Sequence, residues 1–233
     1  MTSISANLQA VRARITTAAI AAGRAPEEVS LLAVSKNWPP SCLREAAACG
    51  QRAFGESYLQ EGVAKVAELS DLDLEWHFIG PLQSNKTLGV ATNFAWAHGI
   101  DREKIALRLS AQRPLSMPPL QVCIQVNVSG EHSKSGVTPG EALALARAVA
   151  ALPRLKLRGL MTIPAPTENA SLARRQFSEL HELLGQLNKA GMNLDTLSMG
   201  MSDDLEAAIA EGATLVRVGT AIFGERNQLK GAS

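Results

Sequence analysis

Short apolar runs and helical stretches alternate eight times along this chain, and that alternation limits its possible folds more than any other feature. The first run, over residues 29–36, leads through Pro39 and Pro40 into a helical stretch over 41–49 that stops at Gly50. Proline suits a first helical turn, which has no use for the missing N–H. Seven further strands are predicted over 53–57, 74–80, 94–100, 120–128, 157–164, 196–201 and 215–223. Helical periodicity fills the intervals near 59–69, 83–91, 101–111, 138–151, 169–190 and 203–211. Thr138-Pro139-Gly140-Glu141 reads as a capping box with proline at the first helical position. An extra helix precedes the first strand, because Ile4, Leu8, Val11, Ile15 and Ala19 keep the helical period and Gly23 supplies a stop.

Strands apolar on both faces belong in a parallel sheet covered by helices. Eight such units close as a (β/α)8 TIM barrel, for which roughly 250 residues is typical. The rival, a doubly wound open sheet, should carry a glycine-rich fingerprint after its first strand, and Ser35-Lys36-Asn37-Trp38-Pro39 is not one. No linker, low-complexity tract or repeat interrupts the pattern, so a single domain over 1–233 is expected. A formal net charge of +1 gives no clustered positive field for nucleic acid or a membrane surface. No apolar run approaches the roughly 20 residues of a membrane helix, and no secretory signal opens the sequence. Cys42, Cys49 and Cys123 have neither zinc spacing nor an even count, which points to a reduced cytoplasmic compartment and no metal.

Barrel chemistry sits at the C-terminal ends of the strands. The residues expected there include Lys36, Ser57, His77, His98, Asn127, Met161, Ser202, Arg217 and Thr220, with no carboxylate cluster of the kind a metal-dependent hydrolase needs. Position alone would suit Lys36 to a solvated strand end. The functional alternative is a Schiff-base amine, made nucleophilic by desolvation or a nearby cation. Ser202 could simply cap the next helix, with Asp203 and Glu206 in its first turn, or its loop could hold a phosphate. Asp203 and Asp204 would oppose a phosphate unless turned away. Gly219 and Thr220 offer a second cradle, and the loops after strands seven and eight are the recurrent phosphate site of such barrels. Arg217 shares the pleat face of Gly219, which places a guanidinium in want of an acceptor toward the barrel interior. His77 alone reads more readily as a hydrogen-bonded core histidine than as a catalyst. Lys134 lies in a polar loop, Ser129 to Gly136, that is either solvated or a lid bearing a second amine.

Together Ala33-Val34-Ser35-Lys36, Phe54-Gly55-Glu56, Trp76-His77-Phe78-Ile79-Gly80-Pro81-Leu82-Gln83-Ser84-Asn85-Lys86, Ser133-Lys134-Ser135-Gly136, Gly159-Leu160-Met161, Met199-Gly200-Met201-Ser202-Asp203-Asp204 and Arg217-Val218-Gly219-Thr220-Ala221-Ile222-Phe223-Gly224 resemble the YggS/PROSC family of pyridoxal 5′-phosphate (PLP) homeostasis proteins. The resemblance runs through essentially the whole chain. It implies the barrel of alanine racemase standing alone, the type III fold of PLP proteins. It also implies that Lys36 holds the cofactor aldehyde as a Schiff base and that Ser202, Gly219 and Thr220 bind its phosphate. Arg217 would face the pyridine nitrogen and Met161 would line the ring site, with Ser57 and His77 completing the cofactor-binding set. One position departs from the family pattern: Ser57 stands where asparagine usually follows Gly-Glu, so that contact would be shortened or bridged by water.

An arginine opposite the pyridine nitrogen disfavours ring protonation and weakens the ring as an electron sink. A racemase of this fold also needs a tyrosine base from a C-terminal domain. This sequence ends at Ser233, about ten residues past the last predicted strand, and its one tyrosine is Tyr58. The expectation is therefore a PLP-binding carrier and regulator without catalytic residues, monomeric, in transient contact with PLP-dependent apo-enzymes. The rival readings are a weak amino-acid racemase and a Schiff-base aldolase on the same barrel.

Overall fold

The computed structural model describes residues 3–130, 135–164 and 169–225. Eight strands pair in sequence order and all in parallel: β1 (Ser30–Val34), β2 (Ala53–Glu56), β3 (Glu75–Phe78), β4 (Trp96–Ile100), β5 (Leu120–Gln125), β6 (Leu155–Met161), β7 (Thr196–Ser198) and β8 (Leu215–Val218). The sheet closes where β8 pairs with β1, from Ser30 opposite Leu215 to Ala33 opposite Val218. Helix α1 (Ile4–Ala21) precedes the barrel. The helices α2 (Pro40–Ala48), α3 (Leu59–Glu68), α4 (Thr87–Asn93), α5 (Glu103–Gln112), α6 (Ala142–Ala150), α7 (Ala170–Lys189), α8 (Leu205–Ala210) and α9 (Thr220–Phe223) follow the eight strands in turn. This is the predicted TIM barrel with its extra N-terminal helix.

The predicted stripe of α1 is the one that packs: Leu8, Val11, Ile15 and Ala19 are buried against α2, α8 and α9. Ser3 caps that helix by accepting from the Ala6 N–H at 3.2 Å, and Gly23 follows at φ +70°. Inside the barrel a hydrogen bond of 2.9 Å joins His98 on β4 to Ser198 on β7. These strands are not neighbours, so the bond crosses the barrel interior.

Every observed strand is shorter than its predicted run, and for three of them the cause is local. The eighth run ends at Val218, because the Gly219 carbonyl accepts from the Ile222 and Phe223 amides and starts α9 in place of more strand. The fifth ends at Gln125, where Val126 keeps only an isolated bridge to Val137 and Asn127 donates to the Val137 carbonyl. The sixth begins at Leu155 and ends at Met161, since the Leu120 amide already bonds Arg154.

Gly159 on β6 is required by close approach, because a Cβ there would collide with the Thr196 carbonyl oxygen of β7. Gly159→Ala is expected to prise the two strands apart at a cost of about 3 kcal/mol, lowering Tm by about 6–12 °C. Thermal unfolding checks this, and an unchanged Tm would show that the two strands can separate freely.

Candidate functional site

A cavity of about 560 Å³ opens at the C-terminal ends of the strands. Lys36 enters it from the loop after β1, Ser57 from the end of β2, Ser202 from the loop before α8, and Arg217, Gly219 and Thr220 from β8 and its junction with α9. Six of the eight residues expected to bind the cofactor are thus brought together. His77 and Met161 are not among them. The lining also includes Tyr58, Ile79, Gly80, Lys86, Ile163, Met201 and Asp203, of which Ile79, Gly80, Ile163 and Met201 belong to the strand ends expected at this face. Lys134 lies outside the described residues.

The loop that carries Lys36 is anchored from beneath by buried charges. Lys65 of α3 donates to the Ser35 carbonyl (2.7 Å), Glu56 Oε1 (2.7 Å) and Glu61 Oε1 (2.6 Å). The Ser35 hydroxyl also donates to Glu56 Oε1, at 2.7 Å. Asn37, held at φ +67°, donates its N–H to Glu61. Both neighbours of Lys36 are therefore fixed to one ion cluster. Burial raises the Glu56 carboxyl above its ordinary pKa, with Lys65 opposing the shift. In the sequence Glu56 stands out only as part of the Phe54-Gly55-Glu56 motif. The available signal was Lys65's place on the Gly62 and Leu69 face of its helix, a face too apolar for a solvated lysine.

On the opposite side, Ser202 does not cap α8; Asp204 occupies that position. The Ser202 hydroxyl instead accepts from the Ala221 N–H at 3.3 Å, tying together the loops after β7 and β8. Helix α1 braces both of them. Arg14 donates to the Ser202 carbonyl at 2.9 Å and pairs with Glu206, while Asn7 donates to the Ile222 carbonyl at 2.8 Å. The two aspartates divide their tasks. Asp204 turns its carboxylate to the Met201 N–H, and Asp203 borders the cavity.

Arg217 is buried, and burial lowers its pKa to about 10. Nη1 donates to the Ser198 carbonyl (2.6 Å) and hydroxyl (2.8 Å), and Nη2 donates to the Thr162 carbonyl (2.8 Å). All three acceptors are neutral, and among the described residues no carboxylate forms an ion pair with this buried cation, Asp204 acting on it only through space. Such a group calls for an anion or a strong acceptor. Together with the Lys36 amine and the Ser202–Gly219–Thr220 rim, it fits a ligand that bears an aldehyde, a ring acceptor and a phosphate.

His77 and Met161 lie lower in the barrel. His77 bonds Glu75 at 2.8 Å and His98 at 3.0 Å, and it stacks on Trp96 with centroids 5.2 Å apart. Its environment is the N-terminal mouth, a cavity of about 300 Å³ bordered also by Glu75, Arg158 and Asp195. Met161 packs with Trp96 and Cys123. The core-histidine reading of His77 agrees with this geometry. Among the described residues there is no cluster of potential metal ligands, and no helix is long and apolar enough to cross a membrane.

The model of the alanine racemase N-terminal domain family matches residues 6–227. A pyridoxal phosphate homeostasis protein of Pseudomonas aeruginosa is 60% identical over 227 residues, covering 97% of each chain. One from Escherichia coli K12 is 54% identical over 99% of this chain and 100% of its own. Among solved structures, PipY of Synechococcus elongatus with PLP bound superposes with a TM-score of 0.84 at 37% identity, covering 95% of this chain and all of that one. Alanine racemase of Corynebacterium glutamicum, 22% identical, shares the fold with a TM-score of 0.69 over 94% of this chain and 62% of its own. The chain therefore belongs to the alanine racemase N-terminal domain family, within its group of pyridoxal phosphate homeostasis proteins.

Proposed function

We propose that this protein binds PLP in the C-terminal cavity and keeps, buffers and releases it, serving intracellular vitamin B6 and amino-acid homeostasis. The observation that carries the reading is the donor set of that cavity: an amine, a buried guanidinium hydrogen-bonded to neutral acceptors, and a hydroxyl-and-glycine rim on two adjoining loops. The cofactor supplies an aldehyde carbon that an amine can hold reversibly. Lys36 is that amine. Ser202, Gly219 and Thr220 take the phosphate, and Arg217 donates toward the ring nitrogen. An arginine there keeps the nitrogen unprotonated, which suits retention better than carbanion chemistry. Ser57 reaches the same space with a shorter side chain than the asparagine usual in the family. His77 and Met161 support the floor from below.

The three cysteines are free thiols, in keeping with a reducing cytoplasm. Tyr58, Ile163 and Met201 are exposed at the cavity rim and offer an apolar edge on which an acceptor apo-enzyme could rest during hand-over. The other exposed apolar side chains include Ile20 on α1 and Leu107 on α5, and the reading takes the protein as a single-domain monomer over 1–233.

A racemase reading draws on one observation: Tyr58 lines the cavity with Lys36. Titration with PLP followed by absorbance, together with deuterium exchange of amino acids in heavy water, separates the readings. The carrier should develop a stable visible band, retain PLP through desalting, and exchange no faster than free PLP. Failure to develop the band overturns PLP binding. Exchange well above the free cofactor that disappears in Tyr58→Phe overturns the carrier in favour of the racemase.

A further inference from the structure

A continuous line of hydrogen bonds threads the barrel from one mouth to the other. It starts at Glu75, whose side chain is 47% exposed at the N-terminal mouth, and reaches His77 Nε2 at 2.8 Å. His77 Nδ1 meets His98 Nε2 at 3.0 Å, His98 Nδ1 meets Ser198 Oγ at 2.9 Å, and Ser198 Oγ accepts from Arg217 Nη1 at 2.8 Å. Both imidazoles are almost wholly buried. We infer that Glu75, His77, His98 and Ser198 are positioning residues for Arg217, with Glu75 acting from the far mouth of the barrel to set the proton order along the line.

Donor and acceptor chemistry fixes that order. A carboxylate only accepts, so His77 must carry its proton on Nε2. Neutral His77 then accepts at Nδ1, which places the His98 proton on Nε2 and leaves His98 Nδ1 as an acceptor. The Ser198 hydroxyl must donate to that nitrogen, and its lone pairs are then turned to Arg217. Every proton in the line points from Arg217 toward Glu75. The alternative order would aim a His98 N–H at Ser198 and compete with the guanidinium for the same lone pairs.

The surroundings keep the histidines neutral. Burial lowers the pKa of His77, opposed by Glu75, and holds His98 well below its ordinary value, with His77 and Arg217 adding to the effect. Glu75 is held below its ordinary value, first by His77. The other charged or titratable neighbours are Arg158, which stands over Trp96 and pairs with Asp195, and Cys123, whose thiol burial pushes up to about 12. Neither Arg158 nor Cys123 makes a hydrogen bond to the line.

With Ser198 committed, Arg217 is held at Nη1 and Nη2, and its remaining N–H groups are presented to the cavity in one orientation. This inference rests on the cofactor reading above and assigns new residues to it. Glu75→Gln tests it without touching the cofactor cavity, because glutamine keeps the shape but can donate as well as accept. Long-range ¹H–¹⁵N spectra of histidine-labelled, cofactor-free protein at neutral pH report the tautomers, with His132 and His181 assigned by substitution. Wild type should show His77 and His98 neutral and protonated on Nε2. In Glu75→Gln both should populate Nδ1-protonated forms, and the dissociation constant for PLP should rise about three- to tenfold, the worth of one ordinary hydrogen bond. An Nδ1 proton on His98 in wild type overturns the inference. So does a tautomer change without a change in affinity, or the reverse. Absence of PLP binding to wild type would refute the cofactor reading alone, and the tautomers of the cofactor-free protein would still decide the proton order.

Discussion

Lys36→Ala is expected to lose the visible band of bound PLP altogether and to weaken retention roughly a hundredfold or more, about 2.7 kcal/mol. The loss is large because it removes a covalent hold, and no hydrogen bond in the cavity can replace one. The phosphate rim and Arg217 remain in the variant, so residual, rapidly exchanging binding without the band should persist. Lys86 lines the same cavity and supplies the control. If an equal band survives in Lys36→Ala, the anchor is another amine, and Lys86→Ala and Lys134→Ala identify which. Absorbance before and after desalting distinguishes a covalent hold from loose association. The backbone on either side of position 36 should stay anchored, since Lys65 still bonds the Ser35 carbonyl and Glu61 the Asn37 N–H.

Much of this architecture is legible in the sequence. Apolar runs at a spacing of one strand and one helix gave the barrel, and Gly23, Gly50 and the proline pair marked its punctuation correctly. The place of Ser202, Gly219 and Thr220 at the cavity was legible too, because position at a strand's C-terminal end nearly determines position there. That rule failed where side-chain direction mattered. His77 and Met161 sit near strand ends in sequence, but strand length and barrel tilt leave them inside, one toward the opposite mouth. Ser202 looked like a helix cap because it precedes acidic residues. The chain instead uses Asp204 there and spends the Ser202 hydroxyl on Ala221. Lys65 was missed for a different reason. Its partners come from two strands' ends and its own helix, and no local pattern reports a contact between Ser35 and a lysine thirty residues later. The line from Glu75 to Arg217 is likewise a product of closure, since it needs β4 and β7 to face each other across the axis.

The Lys65 cluster yields the other large effect. Lys65→Met should destabilise the protein by about 3–5 kcal/mol, the usual result of removing one partner of a buried ion pair. Glu56 is fully buried and Lys65 almost so, with side-chain exposures of 0% and 4%. Glu56 Oε2 has no hydrogen-bond partner among the described residues, so none of them stands ready to take over. The pH dependence follows from the raised Glu56 pKa. A carboxyl raised in the folded state contributes its stability below its unfolded value, near the ordinary 4.5, and loses it as pH rises through the folded value. Removing Lys65 raises Glu56 further, so the Tm gap between variant and wild type should be widest at neutral pH and narrow toward pH 4.5. Adding Glu56→Gln removes the unpaired charge and should recover most of the stability, with the remainder measuring the contacts of Lys65 to Ser35 and Glu61. Unfolding curves of the two single variants and the double variant across that pH range supply the cycle. A gap independent of pH, or a double variant no more stable than Lys65→Met, would mean that the buried charge is not what the lysine compensates. In that case the cluster would hold the Lys36 loop by shape alone, and PLP affinity would fall equally in all three variants.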